Sequence, residues 1–174
     1  MENFIPDMYQ KSIYHIDYDK LQENGIKCLL FDLDNTCVPF KDKEPNKKLI
    51  DLFDNLKDMD FKVILFSNSN KKRLTPFKKG LNVDCLPSAR KPFSKNFKKV
   101  LKLFNYSLSE VAIIGDQLYT DILGGNKVGI MTILINPMSK DDGLFTRMVN
   151  RPLEKRKRKK LANKGLLVRG KYYE

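Results

Sequence analysis

The chain has 174 residues, enough for one domain with a substantial core, and 41% of them are hydrophobic, an ordinary share for a globular protein. No run reaches the ~18 apolar residues of a membrane span, and no basic-then-apolar segment opens the chain, so neither a membrane span nor a secretory signal is expected. Formal net charge is +12, and eleven Lys/Arg against two Glu in Arg147 to Glu174 supply +9 of it, which points to a tail that meets a polyanion.

Taken in order, Ile26 to Phe31 reads as a buried strand, and Lys43-Glu44-Pro45 opens a helix with proline near its first turn. Leu49, Ile50, Phe53 and Leu56 continue that helix at helical spacing. Phe61 to Phe66 is a second strand, and Asn70 to Lys79 a short basic helix expected to break near Pro76. Val83 to Leu86 is a third strand. Phe93, Phe97, Val100, Leu101 and Phe104 mark one face of the next helix. Val111 to Ile114 is a fourth strand, Leu118 to Lys127 a helix ending at glycines, and Ile130 to Ile135 a fifth strand. In the tail Pro152 is expected to interrupt any helix, and Lys155 to Lys160 has no apolar face.

Strands alternating with helical crossovers imply an α/β fold, a three-layer Rossmann-like parallel sheet of about five strands with both faces covered. Ligands in such sheets bind beyond the carboxyl ends of the strands, where strand order reverses. Asp32, Ser67 and Asp116 all fall just past a strand's carboxyl end. Cys28, Cys37 and Cys85 are odd in number and lack metal spacing, so they read as reduced thiols of a cytosolic protein. Cys28 and Cys85 belong to the core, and Cys37 is a small packing residue beside the site. His15, the sole histidine, reads as structural, which argues against a Ser-His-Asp mechanism or a His-built metal site.

Where the first strand ends, Asp32 and Asp34 stand two residues apart, followed by Thr36. The first carboxylate of such a pair can attack phosphorus while the second handles a proton, and the pair help hold a divalent cation. A second acidic pair, Asp116 and Asp121, follows the fourth strand with Gly115 as the turn. Taken singly, Ser67, Asn68 and Lys91 could be turn or surface residues, and Asp121 a helix-terminus charge. In order and at strand ends, they read together as a site.

These motifs resemble those of the haloacid dehalogenase (HAD) superfamily of phosphatases: DLDNT at Asp32 to Thr36, VILFSN at Val63 to Asn68, the lysine of ARKP at Lys91, and GDQLYTD at Gly115 to Asp121. Pro6 to Ile13 and Thr146 to Glu154 are similar to the YqeG family within it. The resemblance implies that Asp32 is the nucleophile and a metal ligand, and that Asp34 is the acid and base, with its backbone carbonyl on the metal. It makes Asp116 a further ligand, with Asp121 supporting the metal site from behind. Ser67, Asn68 and Lys91 would hold the phosphoryl group, and the cofactor would be Mg2+. Arg90 is a rival to Lys91, which is preferred because it directly precedes proline.

The intervals Thr36 to Phe61 and Asn70 to Arg90 are too short for a cap domain, so a capless, open site is expected, suited to a bulky substrate. The expected organisation is a HAD-like domain with an N-terminal extension over residues 1–146 and a basic tail over 147–174. The YqeG family is similar to phosphatases that convert phosphatidylglycerophosphate to phosphatidylglycerol, a step towards cardiolipin. An anionic phospholipid substrate, with peripheral contact between the basic tail and the inner face of the membrane, is the reading that follows. A phosphatase of nucleic-acid ends or phosphoproteins and a non-catalytic RNA- or ribosome-binding protein stay open as alternatives. No RNA-recognition signature of aromatic and basic residues is visible.

Overall fold

The computed structural model describes residues 2–143 and 146–174. Six strands form one parallel sheet: β1 (Met8–Gln10), β2 (Cys28–Phe31), β3 (Lys62–Phe66), β4 (Asp84–Leu86), β5 (Val111–Gly115) and β6 (Met131–Ile135). Their spatial order is β1-β6-β5-β2-β3-β4. The sequence pattern accounts for five of them. The sixth, β1, is three residues long, too short for a period to show. It pairs with β6 through Met8 to Ile133 and Tyr9 to Leu134. The Asp7 carboxylate accepts hydrogen bonds from the Thr132 backbone N–H (2.7 Å) and hydroxyl (2.9 Å), which pins the register.

Strand residues are apolar on both sides because both faces are covered. Leu29 and Phe31 point to a core shared with α1 (Tyr18–Glu23), α2 (Lys47–Asp58) and α3 (Lys71–Leu81). Cys28 and Leu30 point the other way, towards α4 (Ser94–Phe104), where Phe97, Val100 and Leu101 are buried. Phe93 does not share that face. It precedes the helix and is 70% exposed. Cys28 is fully buried, whereas Cys85 on the edge strand is only half-buried.

Two prolines expected to break helices sit inside them. Pro76 lies in the middle of α3, which runs on to Leu81, and Pro45 precedes α2, whose cap is Asn46. Pro152 occupies the first turn of α6 (Arg151–Ala162), directly after a π-helical turn over Thr146–Asn150, so helical structure runs through the proline instead of stopping at it. After β5 the chain makes a π-helical turn over Leu118–Ile122 and continues as α5 (Leu123–Val128). Gly124 and Gly125 lie inside α5, and the helix ends at Gly129, with φ +89°. Gly125 is there for close packing, since a Cβ would press on the Thr132 and Ile113 side chains.

The last segment closes over the β1 side of the sheet. Leu161 and Leu167 are buried with Tyr9, Leu118, Ile122 and Leu134. Tyr173 exchanges backbone hydrogen bonds with Tyr9, both 2.9 Å, shielding the otherwise open edge of β1. Lys157 lies 4.1 Å over the Phe4 ring. No described helix is long and apolar enough to cross a membrane.

Candidate active site

The chain runs outward from the central β2 to β3 and β4 on one side, then returns to β5 and β6 on the other. The reversal therefore falls between β2 and β5, and Asp32 and Asp116 follow those two strands. The Asp32 N–H donates to the Ile114 carbonyl (2.9 Å), so sheet pairing extends to Asp32 itself. The chain then turns sharply. Asn35 adopts φ +62°, a region asparagine tolerates, and the Cys37 N–H donates to the Leu33 carbonyl (3.0 Å). The Cys37 thiol donates to the Asp32 carbonyl (3.2 Å), and burial pushes its pKa well up, which fits a packing residue.

Lys91 is the hub. Its ammonium lies 2.8 Å from Asp32 Oδ1 and 2.6 Å from Asp121 Oδ1, out of contact with solvent. Burial pulls its pKa down, but Asp121 and Asp32 more than offset this and hold it protonated. Asn68 fixes the lysine: Asn68 Oδ1 accepts from the Lys91 N–H (2.7 Å), and Asn68 Nδ2 donates to the Lys91 carbonyl (3.1 Å). The Asn68 amide is thus engaged at both ends and positions the lysine. Arg90, by contrast, is exposed. Ser67 is buried at the end of β3, and its Oγ accepts from the Ser69 N–H (3.2 Å).

Asp34 makes its hydrogen bonds with other residues. Its Oδ2 accepts from the Ser69 hydroxyl (2.6 Å), and its Oδ1 from Arg73 Nε (2.9 Å) and Nη2 (2.7 Å). Burial and the charge of Asp32 raise its pKa above the usual carboxylate range, against the pull of Ser69 and Arg73. Asp116 is fully buried, bonded by Thr36 Oγ1 (3.4 Å) and Arg151 Nη2 (2.7 Å). Burial lifts its pKa to about 7 despite Arg151. Asp121 gives Oδ1 to Lys91 and Oδ2 to the Gln117 N–H (3.1 Å). Burial raises its pKa although Lys91 opposes the shift. Gly115 makes room for it, because a Cβ there would overlap the Asp121 carboxyl group.

Oxygens of Asp32, Asp116 and Asp121 lie within 4.8 Å of one another. A hard divalent cation takes such oxygen donors. The charges point the same way. Five carboxyl groups, Asp32, Asp34, Asp116, Asp121 and Asp142, meet the three cations Lys91, Arg73 and Arg151, so with all five ionised the cluster would carry two negative charges in excess, which a bound cation would offset. The residues therefore fit a divalent metal. Both oxygens of Asp121 and both of Asp116 already accept hydrogen bonds, whereas Asp32 uses only Oδ1, on Lys91, so a cation would share the Asp116 oxygens with Thr36 and Arg151. The Asp34 carboxylate stands outside the trio, so its expected share in the metal site would come through its backbone.

Arg73, Ser69, Asp142 and Arg151 escaped sequence reasoning. For Arg73 a signal exists: Asn70 caps α3 by accepting from the Arg73 N–H (3.0 Å), which puts Arg73 in the first turn after β3, next to the strand ends. Arg151 lies in the Thr146 to Glu154 segment that resembles the YqeG family, but nothing local points to a role at the site. It reaches Asp116 from 35 residues away, and binds Asp142 as well (2.7 Å).

A family model described as mitochondrial PGP phosphatase matches residues 1–139. The chain belongs to that family. The phosphatase is 38% identical over 162 residues to the probable phosphatase YqeG of Bacillus subtilis, covering 93% of this chain and 94% of that protein. It is 28% identical over 173 residues to the chloroplastic/mitochondrial phosphatidylglycerophosphate phosphatase 1 of Arabidopsis thaliana, covering 93% of this chain but 49% of that relative, about half its length. In fold it is similar to the cobalt-bound deoxy-D-mannose-octulosonate 8-phosphate phosphatase of Haemophilus influenzae, with a TM-score of 0.53 at 16% identity over 82% of this chain and 94% of that one. The phosphatase is thus an enzyme with a HAD-like fold.

Proposed function

We propose that the phosphatase hydrolyses phosphomonoesters through an aspartyl-phosphate on Asp32, with Mg2+ as cofactor and phosphatidylglycerophosphate as substrate. The observation that carries the chemistry is the fully buried Lys91 ammonium between Asp32 and Asp121 (2.8 and 2.6 Å), beside Asp116 across the strand-order reversal. The metal, held by Asp32 and Asp116, would screen the anionic phosphate and orient it. Lys91 fixes the Asp32 carboxylate and offers its charge to the transferring phosphoryl group, with Ser67 beside it. Attack by Asp32 forms the bond to phosphorus as the ester oxygen leaves, and Asp34 supplies that oxygen's proton. A carboxylic acid with a raised pKa keeps its proton nearer neutrality, which suits this task. Asp34 then takes a proton from the water that releases phosphate. Asp121 acts through Lys91, and Asn68 through the same residue.

The lipid assignment is supported by the similarity to phosphatidylglycerophosphate phosphatase 1 and by the basic segment over 147–174, which would rest on an anionic membrane as a peripheral contact. Phosphate release should require a divalent cation and stop in EDTA. Asp32→Asn should lower turnover by several orders of magnitude, since an amide is a poor nucleophile and a weaker ligand. Substantial turnover by that variant would defeat the nucleophile assignment. Release from phosphatidylglycerophosphate in mixed micelles should exceed that from a 5′-phosphorylated oligonucleotide and a phosphopeptide. A tenfold preference for the oligonucleotide would move the function to nucleic-acid processing.

A further inference from the structure

A cavity of about 770 Å³ lies beside the carboxylate cluster, between the segment after β6 and α6. Its walls carry Lys140, Arg151, Lys155, Arg158, Lys159 and Arg169. Two of these already belong to the site: Arg151 donates to the Asp116 carboxylate (2.7 Å), and Arg158 donates to the Asp116 backbone carbonyl (2.9 Å). The cavity and the carboxylate cluster therefore share a wall. The other four cations, Lys140, Lys155, Lys159 and Arg169, have no carboxylate partner among the described residues. Two carboxylates also line it, Asp142 and Glu154, but these are paired with Arg151 and Arg158, and the remaining wall includes apolar Pro137, Met138, Ala162 and Leu167.

Four unpaired cations around one concave space repel one another, and an anion entering it would relieve that repulsion. A small inorganic anion would leave the apolar lining unused. An ester with an anionic group and short apolar arms uses both. We infer that this cavity binds the phosphodiester and adjoining glycerol of a phosphatidyl group, while the terminal phosphomonoester of the same molecule reaches Asp32. The inference rests on the lipid reading above and deepens it. In phosphatidylglycerophosphate the two phosphates are one glycerol apart, and Arg151 and Arg158 stand between the two binding places. Selectivity then comes from the second phosphate, recognised by a surface contributed by the C-terminal segment. The basic tail is accordingly two sets of charges, one lining the cavity and one facing outward.

The test uses dihexanoyl-phosphatidylglycerophosphate below its micelle concentration, so that membrane attraction plays no part, beside glycerol 3-phosphate, which lacks the diester. The wild-type protein should favour the lipid in kcat/KM. Lys155→Glu with Lys159→Glu should lower the lipid-to-glycerol 3-phosphate ratio tenfold or more, and Lys155→Arg with Lys159→Arg should keep it. An unchanged ratio in the glutamate variant overturns the inference. Dihexanoyl-phosphatidylglycerol, which carries the diester alone, should inhibit hydrolysis of glycerol 3-phosphate, and the glutamate variant should escape that inhibition. If the lipid is hydrolysed no faster than glycerol 3-phosphate but this inhibition is seen and relieved, the cavity assignment stands and the lipid-substrate reading falls. If there is neither preference nor inhibition, both fall.

Discussion

Asp34 sits among groups that pull its protonation in opposite directions. Burial and Asp32 favour its protonated form, and the Arg73 guanidinium on Oδ1 favours the carboxylate. An opposite charge at this range lowers a carboxyl pKa by about 1–3 units, so Arg73→Gln should raise the Asp34 pKa. Because proton donation needs the protonated form, the alkaline limb of kcat/KM should move to higher pH. A pH–rate profile of that variant with an unmoved limb would separate Asp34 from the proton-donating step. Asp116 gives a second prediction. Its folded pKa of about 7 lies above the unfolded value of about 3.9. The native state therefore holds a proton that the unfolded chain has lost. Its stability declines as pH rises from about 4 to about 7 and carries the full cost of the buried charge above that. A divalent cation needs the carboxylate form and offsets that cost. Mg2+ should thus raise the melting temperature more at pH 8 than at pH 6. Competition with the proton amounts to about 1.4 kcal/mol per pH unit below 7, or roughly 3–5 °C for a chain of this size. Equal increments at the two pH values, or an increment that survives Asp116→Asn, would count against Asp116 as a ligand.

At the scale of elements, β2, β3, β5 and β6 were legible because each is a largely apolar run between turn signals, and the short β4 through Val83, Cys85 and Leu86 around Asp84. The acids at their ends were legible for the same reason: a carboxylate that stops a buried strand stands out against it. Lys91 could be singled out only through its place before Pro92, since nothing else distinguishes it among so many lysines. Helix ends were harder. Pro76 sits in α3 and Pro152 in the first turn of α6, where tertiary packing and position override the usual penalty. The three residues of β1 carry no period, and only β6 makes them a strand. Arg151 illustrates the general limit, since its contact with Asp116 depends on where a whole helix docks. That docking rests on Leu161, which is fully buried against Tyr9 and Leu134, and on the Tyr119 N–H, which donates to the Glu154 carboxylate (2.9 Å). Leu161→Ala should cost about 2–5 kcal/mol, while the neighbouring exposed Lys160→Ala should change stability by about 0.5 kcal/mol or less. Urea midpoints of the two variants measure the difference, and equal midpoints would mean that α6 is not fastened to the core.

For the molecule as a whole, the uneven charge decides how it would meet a membrane. The C-terminal segment carries +9 of the net +12, yet the fold does not leave all of it free. Arg151 and Arg158 are tied to Asp116, and Lys155 and Lys159 line the cavity. Arg156, Lys160 and Lys164 are exposed, outside that lining, and available to an anionic surface. Near such a surface each contributes roughly 1 kcal/mol, and screening weakens that contribution beyond a Debye length of about 8 Å at physiological ionic strength. Binding to anionic vesicles should therefore fall steeply as ionic strength rises from about 0.05 M to about 0.3 M, and neutral vesicles should bind little at either. Arg156→Gln, Lys160→Gln and Lys164→Gln together should weaken vesicle binding by about two orders of magnitude, taking roughly 1 kcal/mol for each charge. The same triple variant should hydrolyse monomeric short-chain lipid as the wild-type protein does, since none of the three lines the cavity or touches the carboxylate cluster. Co-sedimentation with vesicles and phosphate release from the monomeric lipid read the two properties separately. If both fell together, outward and cavity charges would form one surface, and equal binding to neutral and anionic vesicles would remove the electrostatic account altogether.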